Sequence, residues 1–277
     1  MGGGTYSYLD SHYRTTCRAT ETEGMSVMDC VKNVYTKKSL VPELNIKDKT
    51  RESRNSKEHP NSLPIIIALD VTGSMGSIPA DLATNSFPEI MKNILDAGIK
   101  DPQVCFVAMG DEECDSTPIQ CGQFESDDKL IEECLTNIYF EGGGGGNSYE
   151  SQALAYYFAA RHTQTDNKGI LITISDEPCQ PYIHKETVIK EFGDGCQADI
   201  PTETILEEAK LNWDIYHINL GEGVRYQSVI QGWNKLLGED RVFTMPRDNY
   251  NMASIITSII LNSTSKEIVK SETKISL

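Results

Sequence analysis

Apolar residues along this chain come in short continuous runs separated by longer stretches of helical periodicity. Runs bounded by Gly, Pro, Asn or Asp predict strands at 65–70, 104–109, 118–124, 169–175, 213–219 and 241–245. Between them, helices are predicted near 79–97, 127–139, 149–162, 202–211, 224–237 and 250–262. The last two carry clear stripes: Tyr226, Val229, Ile230, Trp233 and Leu237, then Met252, Ile255, Ile256, Ile259 and Ile260. Pro88 should break the first helix, with Asn85 or Ser86 capping its second half. Alternating strands and helices imply an α/β domain with a mostly parallel central sheet and helices on both faces. The third strand is short and close to the second, so it reads as an antiparallel edge strand.

Residues 1–62 break this pattern. They are polar and end in the mixed-charge, helix-breaking stretch TRESRNSKEHPNS, which reads as a partly irregular arm and linker. Tyr6, Tyr8, Tyr13 and Tyr35, with an apolar patch at Val27, Met28 and Val31, point to some order. The expected organisation is an arm at 1–62, a domain at 63–265 and a tail at 266–277. The net charge of −16 is uneven, +2 over residues 1–63 and −18 over the remainder. The arm's Lys47–Lys57 region is therefore expected to lie against the acidic domain or a partner, and the domain is expected to fold without it. An acidic body repels phosphate backbones, which argues against nucleic-acid binding. No run approaches the ~18 apolar residues of a transmembrane helix, and the first residues lack the apolar region of a secretory signal. A cytoplasmic protein that does not bind membranes is the expectation. Eight cysteines without a C-x-x-C pair or clustered histidines suggest neither zinc nor disulfides, and most are expected to be buried.

The chemistry gathers where the first strand ends. Ile65–Leu69 leads into Asp70, and hydroxyl residues follow at every second position, Thr72 and Ser74. One carboxylate and two neutral hydroxyls suit a hard divalent cation. They stand at the carboxyl end of a buried strand, the edge where open α/β sheets bind ligands. The spacing D-x-T-x-S, continued by Gly73, Ser74 and Met75, resembles the metal-ion-dependent adhesion site (MIDAS) of von Willebrand factor A (vWA) domains, usually D-x-S-x-S. That resemblance implies a Rossmann-like vWA fold and two further metal-facing loops. EGGGGGNSYESQALAYYFAARH (141–162) is similar to the first, with Asn147 and Ser148 where the family usually has Thr or Asp. KGILITISDEP (168–178) is similar to the second and supplies Asp176. Asp111 and Glu150 are implied as residues that support the ligands. VCFVAMGDEECD (104–115) and the stretch 194–220 resemble the alpha-kinase-associated and stand-alone intracellular subgroup, without any kinase domain.

The resemblance implies Mg²⁺, with Mn²⁺ or Ca²⁺ as alternatives, and a metal-dependent protein–protein interaction instead of catalysis. A partner would complete the metal shell with an acidic side chain, and the intracellular subgroup implies an AAA-type ATPase nearby. A different class must be weighed. DVTGS also resembles the aspartyl-phosphate motif of haloacid-dehalogenase-like phosphatases, with Asp70 as nucleophile and Gly110, Asp111 and Asp115 as a second motif. The spacing between the two motifs is too short for that superfamily. No lysine or arginine is expected near the three loops to assist phosphoryl transfer. The five-glycine run lacks the following Lys of a P-loop. A third possibility is an assembly protein with a vestigial metal site. His162, His184 and His217 stand apart in sequence and read as structural.

Overall fold

The computed structural model describes residues 4–141, 148–247 and 251–275. In chain order the elements are α1 (Tyr8–Thr22), α2 (Val27–Val34), β1 (Arg51–Ser53), β2 (Leu63–Asp70), α3 (Ile78–Asp81), α4 (Phe87–Asp96), β3 (Pro102–Met109), β4 (Ile119–Cys121) and α5 (Asp128–Thr136). There follow α6 (Gln152–Arg161), β5 (Thr163–Thr165), β6 (Gly169–Ser175), β7 (Tyr182–Ile183), α7 (Lys185–Thr187), β8 (Ile200–Pro201) and α8 (Thr202–Lys210). The chain closes with β9 (Trp213–Leu220), α9 (Gln227–Leu237), β10 (Val242–Met245) and α10 (Met252–Ile275).

The central sheet has the order β10-β9-β6-β2-β3-β4 among the described residues. Every neighbour pair is parallel except β3–β4, the expected antiparallel edge. β2 is flanked by β3 on one side and by β6 on the other, so the direction of winding reverses at β2. Strand pleat sorts its side chains: Ile65, Ile67 and Leu69 join one core, while Ile66 and Ala68 join the other. Both faces are covered, which is why β2, β3 and β6 read as continuous apolar runs without alternation. Helix α6 is buried from Gln152 through Ala159 and packs against α8, so it is apolar around its whole circumference.

Pro88 does not end the first helical region. A π-helical turn, Leu82–Ser86, connects α3 to α4, and Pro88 lies in the first turn of α4, where its missing N–H costs little. Asn85 and Ser86 do not cap; both donate to Asp81, at 2.9 and 2.6 Å. Helix α10 continues beyond the expected end at 262 to Ile275, since the residues after the apolar stripe include good helix formers such as Lys266, Glu267 and Lys270. Cys17, Cys105, Cys121, Cys134, Cys179 and Cys196 are free thiols. Cys105 and Cys121 are buried, but Cys17 and Cys114 are exposed, against the expectation of general burial. None of the described helices is long and apolar enough to cross a membrane.

The N-terminal segment packs onto the rest of the chain. Val31, Val34, Tyr35 and Leu44 enter the core beside β2 and α4, and Ile46 enters the core on the α6 face. Arg14 pairs with Asp128 and Glu132 on α5, and Arg18 reaches Glu132 at 3.1 Å. Strand β1 pairs in parallel with β5. Arg51, only 4% exposed, donates to the carbonyl of Cys121 at 2.9 Å and to that of Glu43. A buried guanidinium held by backbone carbonyls is costly to disturb.

This packing runs against a dispensable arm. Each of the five apolar side chains above contributes roughly 1.5–3 kcal/mol by leaving water, comparable in sum with the ~5–15 kcal/mol that holds a domain together. Deleting residues 1–60 should abolish cooperative thermal unfolding and raise binding of a hydrophobic dye. A truncated chain that unfolds cooperatively at the full-length midpoint would refute this.

Candidate metal centre

Five loops meet at the carboxyl edge of the central sheet. Asp70, the last residue of β2, is fully buried. Its Oδ1 accepts from the Thr72 backbone N–H at 2.8 Å and from Thr72 Oγ1 at 2.7 Å. Thr72 Oγ1 lies 3.2 Å from Ser74 Oγ, which donates to Asp176 Oδ1 at 2.7 Å. A hydrogen-bonded chain, Asp70–Thr72–Ser74–Asp176, thus ties the loop after β2 to the loop after β6. It reaches solvent only at Ser74, for Asp70, Thr72 and Asp176 are buried and Ser74 exposed.

The loop after β3 brings more acid. Asp111 Oδ1 accepts from Glu113 N–H at 2.9 Å, and Asp115 Oδ2 accepts from Asp111 N–H at 2.8 Å. A Cβ on Gly110 would stand 2.4 Å from that Asp115 oxygen, so only glycine permits the carboxylate to fold back here. The segment entering α6 adds Glu150, 7% exposed. Its backbone is clamped to the loop after β6, donating to Pro178 O at 3.1 Å and accepting from Gln180 N at 3.2 Å.

The sequence-predicted residues divide. Asp70, Thr72, Ser74 and Asp176 form one network, and Asp111 and Glu150 are buried beside it, close enough for their charges to act on one another. Ser148 is exposed and makes no hydrogen bond to any of these among the described residues. Asn147 and the glycine run lie outside the described residues. Asp115 is half-buried and contributes its field to both Asp70 and Glu150.

The expectation that no arginine stands near the loops is overturned. Arg247, just past β10, pairs with Asp176 Oδ2 and donates to the Ser74 carbonyl, with Tyr226 Oη 3.5 Å away. No local motif marks it. Its only signal in the sequence is its place immediately after a parallel strand, which delivers it to the same edge. Two of the three histidines read as structural: His162 bonds Lys49 O and Asp194, and His217 bonds Thr173 Oγ1 and stacks on Trp233. His184 is partly exposed and faces Glu113 and Asp199 at 3.7 and 3.8 Å.

Electrostatics make this edge hungry for positive charge. Burial, reinforced by the charges of Asp176 and Asp115, raises Asp70 to about 7 despite the Thr72 hydrogen bonds. Burial, then Asp70, Asp111 and Asp115, raises Glu150 to about 9. Three buried carboxylate oxygens, Asp70 Oδ2, Asp111 Oδ2 and Glu150 Oε2, have no hydrogen-bond partner. Such atoms are costly unless an ion, water or proton meets them. Carboxylates and hydroxyls, with no thiolate or imidazole, form the donor set of a hard divalent cation.

No family model and no curated protein sequence matches the chain. Among solved structures, the vWF domain of the type V pili tip protein Mfa5 from Porphyromonas gingivalis superposes with a TM-score of 0.51 at 12% identity, covering 74% of this chain and 96% of that one. The fold is therefore the Rossmann-like vWA fold. The pilus adhesin SpaC from Lactobacillus rhamnosus GG gives a TM-score of 0.48 at 13% identity, covering 81% of this chain and 32% of that one, so this chain spans about a third of SpaC. Proximal thread matrix protein 1 of the mussel byssus, with its MIDAS motif occupied by zinc, gives 0.45 at 14% identity, covering 78% of this chain and 46% of that one.

Arg247 supplies the one guanidinium paired with a carboxylate of this network among the described residues. Its loss leaves Asp176, 2% exposed, without a counter-charge. In chelator, Arg247→Met should lower the unfolding free energy by about 1–3 kcal/mol in urea titrations. An unchanged midpoint would show the pair to be energetically idle.

Proposed function

We propose that this chain is a vWA-type interaction module whose sheet edge holds a divalent cation, Mg²⁺ in the first place. Thr72 and Ser74 would ligate through their hydroxyls, with Asp70 and Asp176 binding directly or through water and Asp111 in support. From the loop before α6, Glu150 is the residue we favour, with Asn147 and Ser148 as that loop's remaining candidates. The single observation that carries the proposal is the unpartnered, fully buried Asp70 oxygen beside two mutually bonded hydroxyls. When bound, such an ion supplies an electrophilic position that a partner's carboxylate can fill.

The protein's own residues prepare that contact. The Thr72 hydrogen bonds hold Asp70 in one orientation, and Ser74 stands at the surface, where a partner arrives. Arg247 adds a second positive group at the rim, which favours an acidic partner surface. The resemblance of 104–115 and 194–220 to the intracellular subgroup supports an AAA-type ATPase as partner. Free cysteines, the exposed Cys17 among them, support a reducing, cytoplasmic setting.

Arg247 gives the phosphatase reading the cation it lacked, so that reading needs its own test. Against it, Asp70 has no exposed surface from which to attack phosphorus, and its Oδ1 already accepts two hydrogen bonds. The protein should not turn over p-nitrophenyl phosphate with Mg²⁺; an Asp70-dependent rate would make it an enzyme.

Titration offers a sharper check of the metal. An ordinary aspartate titrates near ~4, so the metal-free fold keeps protons that the unfolded chain has already released. The stability they contribute is full at low pH and is lost as pH rises through about 7 for Asp70 and about 9 for Glu150. In chelator the melting temperature should fall from about pH 6 to about pH 8. Mg²⁺ should raise it more at the higher pH, and its affinity should grow up to roughly tenfold per pH unit below the Asp70 midpoint. Asp70→Asn should flatten the chelator profile and abolish Mg²⁺ binding in calorimetry. Equal binding by wild type and Asp70→Asn would sink the proposal.

A further inference from the structure

A cavity of about 340 Å³ opens between α8, α9 and the loop after β6, and none of the described residues assigned above to the metal centre lines it. Its volume lies in the ~300–1,000 Å³ range of small-molecule sites. Pro178 and Pro181 of the loop, with Trp233 and Leu236 of α9, give it apolar walls. These walls are already set in place. Trp233 is 1% exposed, stacks on His217 and donates through Nε1 to Glu177 O at 3.2 Å. The far end of the loop is tied down as well, since Thr202 N–H donates to Pro181 O at 2.9 Å. A site that needs no rearrangement loses little free energy in ordering itself around a ligand.

Two features of this cavity answer to nothing inside the protein. Gly232 lines it from the interior of α9, where glycine is among the least favourable residues. No packing demands it, for a Cβ built there would meet no atom within 4 Å. What its missing side chain leaves open is the cavity. Glu203 of α8 and Lys235 of α9 supply opposite charges to the lining. Both are exposed, and among the described residues neither side chain forms an ion pair or hydrogen bond, with the other or with any third group.

We infer that the cavity binds a zwitterion with a large apolar side chain, an α-amino acid of the leucine or phenylalanine class. Lys235 takes its carboxylate and Glu203 its ammonium. The side chain lies against Trp233, Leu236 and the two prolines, in the room that Gly232 leaves. Charge balance selects a zwitterion over either half alone. A simple anion would be repelled by a chain of net charge −16, and a simple cation would meet Lys235 as a like charge. A molecule that brings both charges suffers neither penalty. The inference stands apart from the metal reading, for no residue is shared and no cation is required.

The chain has two tryptophans, and the other one is a built-in control. Trp213 borders a separate cleft, with Lys168, Asp214 and Arg241. In NMR spectra of the nitrogen-labelled full chain in chelator, L-phenylalanine should shift the indole N–H signal of Trp233 and leave that of Trp213 in place. L-Leucine should do the same. Glycine, phenylpropanoate and phenylethylamine lack the side chain, the ammonium and the carboxylate in turn, and each should bind roughly three- to tenfold more weakly. Lys235→Gln should weaken phenylalanine by a similar factor and spare phenylethylamine. Glu203→Gln should weaken phenylalanine and spare phenylpropanoate. Gly232→Leu should abolish the shift while keeping the melting temperature, because its Cβ clashes with nothing. A Trp233 signal that stays put throughout a titration into the millimolar range would overturn the site. So would phenylalanine binding that Gly232→Leu leaves intact, or that glycine matches. Equal binding by phenylalanine, phenylpropanoate and phenylethylamine would overturn the zwitterion assignment.

Discussion

A carboxylate shut away from solvent at the middle of a parallel sheet is the constraint on which the rest of this molecule depends. Asp70 closes β2 with no exposed surface, one oxygen bonded twice to Thr72 and the other to nothing. Burying charge in this way demands compensation. Compensation by neighbours fails here because the neighbours are acids as well, and Asp176 and Asp115 push the Asp70 proton affinity further up. A proton, a water or a cation must therefore meet that oxygen.

Topology explains why the acids assemble. β2 has β3 on one side and β6 on the other, so the loops leaving all three strands open at the same edge and the same switch point. Helix α6 begins there too, delivering Glu150, whose backbone is fastened to the loop after β6. The rigid parts hold the reactive ones. Continuous apolar strands covered on both faces fix the height of Asp70, Asp111 and Asp176, while short polar turns set their angles. Arg247 enters from the far side on the loop after β10 and relieves one carboxylate, Asp176.

The N-terminal segment belongs to the same economy of burial. Its positive charge meets the acidic domain at α5 through Arg14 and Arg18, just past β5 through Arg54, which pairs with Asp166 at 2.9 Å, and beneath the sheet edge strand through Arg51. The first two of these are ion pairs. Arg51 is neutralised by carbonyl dipoles, which tie the segment to β4 by geometry more than by charge. Apolar side chains from α2 and the following loop then seal both cores.

Much of this was legible along the chain, and the reason is local. Strands buried on both faces must be continuous apolar runs, so β2, β3, β6 and β9 announced themselves, and the residue ending each run had to lie at one edge. Asp70, Thr72 and Ser74 were read that way, and Asp176 through the resemblance to vWA domains. What lacked a local signature was decided only by tertiary structure. The π-helical turn ahead of Pro88 depends on packing and on Asp81, which accepts from Asn85 and Ser86. Asp115 turned inward because Gly110 leaves room for it. Arg247 reached Asp176 across 71 residues because β10 adds to the far side of the same parallel sheet. The order of strands, not the spacing of residues, sets which charges meet.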